Sequence, residues 1–427
     1  MKTLGKIFLA LSLTASCVFS QDKAMLDMFV EKGILTPQEA VELSKGMAAN
    51  VVVHEKGKAK SIKIRTRAQF QYEWTNTRMS AGMGAPSSGA STSGFQIRRL
   101  FLELYADLGA DWKAQIVMDF GRSDASHYIA DTYVTKTFRY EYLTGDLDLG
   151  YRRPIFAYEE YLSSCALPAI ERSVATTYFT GGQNGRRLGL GGRYVGAFYW
   201  GDLQQLPGLK YNVALVNSYN DAPWGTNDAY NTDDNIPNII VGTEYVFKND
   251  DWDIRAGVSG IYGDKANKKM GAGTAKSMYG VNPYIQGRYG NFYFWGDFLG
   301  AVVADGKNVG GEWRQASPYG LNASGEYRFD IGTFGKLGVT ARYTWLDTGG
   351  RGISTKDAMR HYPSLSGDPA YNNVQAVYGG LNWYIRGDNL KLMLGYEWAQ
   401  YSGTADDRHA AHRCDAQAFR TQLQIVF

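Results

Sequence analysis

The chain has 427 residues, with 45 basic and 42 acidic side chains, a formal net charge of +3. A charge so nearly balanced gives no footprint for nucleic acid, so any ion preference must come from local placement. Glycine (50) and tyrosine (30) are abundant, proline (11) is scarce, and the mean hydropathy is −0.33. Past the N-terminus no stretch of 18 uninterrupted apolar residues occurs, which excludes membrane-spanning helices but not strands, whose apolar residues fill every second position.

Lys2 and Lys6 precede an apolar run from Ile7 to Leu13 and on to Val18 and Phe19, with small residues ahead of Gln21. This predicts a secretory signal peptide over 1–20. A rival reading takes Leu13 to Cys17 as a lipoprotein signal, against which Thr14 stands where leucine is usual. Cleavage after Ser20 leaves 43 basic and 42 acidic side chains and two cysteines, Cys165 and Cys414, either paired as a disulfide or free.

Residues 21–60 form a separate preface. Leu26, Phe29 and Val30 recur at helical spacing, and Thr36, Pro37 and Glu39 read as a cap, a first-turn proline and a capping-box acid. Two short helices are expected within 22–49, placed to touch a periplasmic or cell-wall neighbour or left as a loose tail, followed by a lysine-bearing linker over 50–60.

From residue 61 the pattern changes to period two. In Ile62 to Trp74 the even positions are mostly apolar, while the odd positions carry Lys63, Arg65, Arg67, Gln69, Gln71 and Glu73. Sixteen such runs follow one another: 62–74, 95–108, 112–120, 127–138, 145–153, 187–200, 209–219, 238–248, 252–262, 278–289, 292–302, 318–329, 337–346, 374–386, 390–400 and 416–427. Their connections alternate between short and long. Gly109 to Asp111, Asn249 to Asp251, Gly290-Asn291 and Gly387 to Asn389 are tight, whereas 75–94, 220–237, 263–277, 303–317, 347–373 and 401–415 are long. Short periplasmic turns alternating with long external loops are the signature of an up-and-down outer-membrane barrel. The expected fold is therefore all-β, a 16-stranded antiparallel transmembrane barrel over 61–427. Tyr72, Trp74, Tyr262, Tyr343, Trp345, Tyr396 and Trp398 near strand ends fit its interfacial girdles. The last strand places Phe419, Leu423, Ile425 and Phe427 on one face and ends on an aromatic residue, resembling the assembly signal of bacterial outer-membrane proteins.

The longest irregular span, 154–186, follows the fifth run. Gly150 to Pro154, Glu159 to Ser164, Glu171 to Ser173 and Gly185 to Gly189, with Gln96 to Arg99 upstream, resemble the phosphate-selective porin family, porins O and P. The resemblance implies a trimeric barrel whose third external loop folds inward and narrows a pore lined by arginines. Carried onto this sequence, the implied pore-lining or anion-binding residues are Arg65, Arg67, Arg98, Arg99, Arg152, Arg153, Arg172, Arg186, Arg187 and Arg193. Planar guanidiniums suit oxyanions because they donate two parallel hydrogen bonds. Glu159, Glu160 and Glu171 lie in the same loop and would pair with some of these arginines to anchor it. Strict alternation puts Arg99 with Glu103 and Asp107 on the polar face and Arg98 on the opposite one, unless the strand begins later or bulges.

Lys265, Lys268, Lys269 and Lys276 in the fifth external loop would either funnel anions or merely be solvated. The five histidines form no triad, and His409, His412 and Cys414, though spaced as metal ligands could be, lie in a short polar loop without a fourth ligand. The expected function is passive diffusion of small anions such as phosphate, without enzyme activity, cofactor, metal or nucleic acid. Its partners are outer-membrane lipid, two further copies of the chain and anions in transit. The alternatives are a structural or adhesive barrel, and a general or sugar porin, the latter presenting an aromatic slide in place of an arginine cluster.

Overall fold

The computed structural model describes residues 61–80, 88–121, 129–181, 186–217, 237–263, 277–355, 370–404 and 413–427. The signal peptide, the preface helices, the linker, the loop lysines and all five histidines lie outside these residues. Backbone packing separates Met1–Ile64, of which 61–64 are described as the opening of a strand, from Arg65–Phe427.

Arg65–Phe427 is a closed antiparallel barrel. Its strands are β1 (Ser61–Met79), β2 (Ser88–Gly109), β3 (Trp112–Asp119), β4 (Ile129–Arg139), β5 (Leu143–Arg152), β6 (Tyr194–Leu203), β7 (Leu209–Val216), β8 (Asn238–Lys248) and β9 (Trp252–Gly263). They continue as β10 (Met278–Tyr289), β11 (Phe292–Val309), β12 (Glu312–Ala316), β13 (Tyr319–Asp330), β14 (Lys336–Asp347), β15 (Tyr371–Asp388), β16 (Leu390–Thr404) and β17 (Cys414–Val426). Each pairs with its neighbours in the chain, save that β12 and β13 both pair with β11, and β1 pairs with both β2 and β17. The β1–β17 register runs from Arg67 opposite Val426 to Met79 opposite Cys414. Phe427 adds reciprocal backbone bonds with Thr66, so the terminal aromatic residue seals the wall.

Among the described residues seventeen strands make sixteen crossings. β12 and β13 both pair with β11 and form one crossing, interrupted at Ser317-Pro318, where proline has no N–H to give the ladder. The expected long loop over 303–317 is thus largely a hairpin, turned at Gly310 and Gly311, whose φ values of 62° and 92° favour residues without a Cβ. The expected loop over 75–94 is likewise shortened by extended ends of β1 and β2.

The two faces sort as alternation requires. On β1, Phe70 is 44% exposed on the outer face while the adjacent Gln71 is 2% exposed inside. Tyr245, Phe247, Tyr289, Phe292, Tyr327 and Phe329 stand exposed near the short-turn ends of β8 to β13, where the Trp252 and Tyr289 rings stack at 4.3 Å. Aromatic residues there match an interfacial girdle.

The segment between β5 and β6 lies inside the barrel. It carries α1 (Tyr158–Tyr161) and α2 (Val174–Thr180), the latter capped by the Ser173 hydroxyl, which accepts from the Thr176 N–H at 3.0 Å. The sixth strand begins at Tyr194, not at residue 187. Leu188 and Leu190 alternate with glycines and so imitate a strand, but their N–H groups donate to the Tyr178 and Phe179 carbonyls of α2. Phe156, Val174, Tyr178, Phe179, Leu188 and Leu190 join one buried cluster with wall residues at the long-loop ends of the strands, among them Val216, Val303, Tyr371 and Tyr401. Each such side chain contributes about 1.5–3 kcal/mol by leaving water. An inward loop with an apolar upper side is therefore held by the hydrophobic effect as well as by charge.

Candidate functional site: an arginine cluster beside the inward loop

The loop's polar side meets the barrel wall through buried ion pairs. Arg342 on β14 donates from Nη1 to Glu159 at 2.8 Å and from Nη2 to Glu397 at 2.9 Å. Glu397 in turn accepts from Arg420 at 3.0 Å, and Arg420 reaches Glu73 at 3.2 Å. Backbone carbonyls of the loop are taken up as well: Lys391 Nζ donates to Cys165 at 2.7 Å, Asn382 to Pro168 at 2.8 Å and Arg342 to Glu171 at 2.7 Å. A loop so bonded has given up its conformational freedom to specific partners.

Several arginines expected in the pore serve this attachment. Arg98 grips both oxygens of Glu171, with Nη2 to Oε2 at 2.8 Å, so it points inward and the placement expected from strict alternation fails. Gln96 and Arg98 both bond inside the barrel while Ile97 between them is 48% exposed, and Arg99 is buried next to Arg98, so the alternation slips by one residue there, as a bulge would make it. Arg99 is buried and donates to Gln69 at 2.7 Å. Arg186 donates to the Arg351 carbonyl, and Arg187 lies against Gly181. Arg172 binds the carbonyls of Glu159 and Leu162 and the Glu160 carboxylate at 2.8 Å, bracing the loop internally.

The remaining arginines come together. Arg67, Arg152, Arg153 and Arg193 line a cavity of about 180 Å³ with Ser163, Ser164, Tyr133 and Asp131. Arg67 is held by Glu103 and by the Ser164 hydroxyl at 2.8 Å, Arg152 by Asp148, Arg153 by Glu160 at 3.2 Å, and Arg193 by Asp131 at 3.1 Å. Arg65 also approaches Glu103 at 3.6 Å. Glu103 and Glu160 each serve two guanidiniums, so this set joins six arginines (65, 67, 152, 153, 172 and 193) to four carboxylates.

Burial and neighbouring charges shift the titratable groups of the loop in both directions, with Arg193 raised, against its burial, by Asp131. Burial and the neighbouring Arg193 push Arg153 down to about 10. Burial alone would raise the Glu160 carboxyl, but Arg172, Arg153 and Arg193 outweigh it and hold the group below its ordinary value.

A second cavity of about 460 Å³ lies on the other side of Tyr161, which lines both. Its walls include Tyr158, Trp200, Tyr284, Tyr293, Lys210, Glu244 and Arg255. Among the described residues no group of three or more His, Cys, Asp or Glu side chains is placed to hold a metal ion.

A family sequence model described as phosphate-selective porin O and P matches residues 67–203 and 300–427. The chain belongs to the phosphate-selective porin O and P family. It is an outer-membrane barrel and a channel. Among solved structures it is similar to OprB of Pseudomonas putida, at 9% identity and TM-score 0.52, covering 85% of this chain and 94% of that one. The outer-membrane channel DcaP of Acinetobacter baumannii matches at 14% identity and TM-score 0.51, covering 88% and 99%. An anion-selective porin from Comamonas acidovorans matches at 12% and 0.50, covering 86% and 99%. At these identities the likeness is one of fold. No curated protein matches the sequence.

The inward loop was implied by the family resemblance, but Arg342, Glu397, Arg420 and Lys391 were missed as its partners on the wall. Their signal was present, since each falls on the polar side of its strand's alternation. What the pattern lacked was any mark of the loop residue each would meet.

Proposed function

We propose that the channel passes small anions, phosphate among them, in preference to cations, by passive diffusion through water beside the inward loop. The carrying observation is that, among the described residues, six guanidiniums share four carboxylates beside the inward loop, a surplus of two positive charges in this set. Charge at a constriction of lowered dielectric acts strongly on a passing ion. A 180 Å³ cavity, below the roughly 300–1,000 Å³ usual for organic ligands, suits a bare oxyanion. The family description and the anion-selective Comamonas porin support the same reading.

In this reading Arg67, Arg152, Arg153 and Arg193 meet the anion, with Arg65 and Arg172 adding field. Arg98, Arg99 and Arg186 are structural, and Glu159, Glu160 and Glu171 anchor the loop. No cofactor or energy coupling enters. The working assembly is a homotrimer in outer-membrane lipid.

The test is the reversal potential of the reconstituted protein in a planar bilayer, with potassium phosphate opposed to potassium chloride at equal potassium. Substantial phosphate permeability, reduced in Arg193→Gln, supports the reading. A phosphate permeability of zero in the parent protein overturns its phosphate part.

A further inference from the structure

The 460 Å³ cavity falls within the usual range for organic ligands, and inorganic phosphate does not need its chemistry. Tyr161 is 40% exposed and Trp200 37% exposed, and both present ring surface to it, backed by the stacked pair Tyr158 and Tyr284 at 4.8 Å. Between these rings stand amides and charges, Asn212 and Gln286 with Lys210 and Glu244. Glu244 already accepts from the Tyr284 hydroxyl at 2.9 Å, and Lys210 binds Asp202 at 2.7 Å, so these two charges have partners before any solute arrives. Apolar faces edged by preplaced donors and acceptors fit a solute with a flat C–H face and a rim of hydroxyl groups. A purely apolar solute would strand the rim, and an inorganic anion would leave the rings unused.

Tyr161 is the joint. It borders the arginine cavity on one side and this cavity on the other, so a solute lying across it puts an anionic group among Arg67, Arg153 and Arg193 while its body rests on the rings. We infer that the channel carries a binding site for phosphorylated monosaccharides, with the phosphate in the arginine cavity and the sugar ring on the shelf of Tyr161 and Trp200. The inference rests on the anion reading above and narrows its substrate class.

The experiment measures half-blocking concentrations of chloride current in a planar bilayer for glucose 6-phosphate, inorganic phosphate and glucose. Glucose 6-phosphate is expected to block at a concentration about tenfold below inorganic phosphate, one stacked ring's worth of affinity, and far below glucose. In Trp200→Ala the ratio between the two phosphates should collapse toward one; Asn212→Leu gives the same readout should the tryptophan variant not assemble. Equal block by the two phosphates in the parent protein overturns the inference while leaving an anion channel intact. Block by glucose matching that by glucose 6-phosphate, with no block by inorganic phosphate, removes the anion reading and this inference with it.

Discussion

Arg342 on β14 and Glu159 on α1 stand 183 residues apart in the sequence and meet at 2.8 Å, each side chain 1% exposed. The pair joins the inward loop to the wall through a group that water does not reach. Breaking such a pair leaves a buried charge uncompensated, at a cost of about 3–5 kcal/mol. Arg342→Ala is therefore expected to lower the thermal unfolding midpoint in detergent and, by loosening the loop, to make single-channel current noisier. An unchanged midpoint and quiet current would count against the anchoring role.

Gly150 lies in β5 just before the two cavity arginines, with φ at +143°, and a Cβ there would come within 2.4 Å of the Thr132 carbonyl oxygen. Gly150→Ala should destabilise the β4–β5 pairing by roughly 1–3 kcal/mol and displace Arg152 and Arg153. The check is paired, with unfolding in denaturant for stability and zero-current potential for selectivity. Loss of stability with selectivity intact would separate the strand's geometry from the passage.

The depressed Glu160 carboxyl makes loop stability depend on acid. A carboxylate held below its unfolded value stabilises the fold above that value, and the contribution is lost as pH falls through the lower, folded one. Stability should accordingly decline as pH drops below about 4.5, and Glu160→Gln should flatten that part of the curve. Proteolysis of the loop at graded pH reads the effect; an identical slope in the variant would contradict it.

Cys165 and Cys414 are both buried and are not joined in a disulfide. The Cys165 carbonyl accepts from Gln424, while Cys414 lies ten residues earlier on β17, roughly 33 Å away along the strand at about 3.3 Å per residue. Two thiols that react with maleimide only after unfolding are expected, with no change in gel mobility on reduction. A reducible crosslink within the chain would contradict this placement.

The barrel was legible because its information is local. Period two over Ile62 to Trp74 fixes which side of β1 faces lipid, and Gly109 to Asp111 or Gly290-Asn291 fixes a turn, each within a few residues. The arginines were less legible because a guanidinium's role depends on which carboxylate reaches it. Arg98 and Arg99 are adjacent and chemically identical, yet one clamps Glu171 and the other bonds Gln69. Arg187 and Arg193, expected on one strand, lie in the returning arm of the loop, because Leu188 and Leu190 satisfy their backbone against α2 instead of the wall.

The most direct measurement of the central claim is the zero-current potential of the reconstituted protein across a potassium chloride gradient at neutral pH. Surplus guanidinium charge beside the loop predicts the sign set by chloride permeating faster than potassium, weakened in the double variant Arg153→Gln, Arg193→Gln. A sign set by potassium in the parent protein would contradict it.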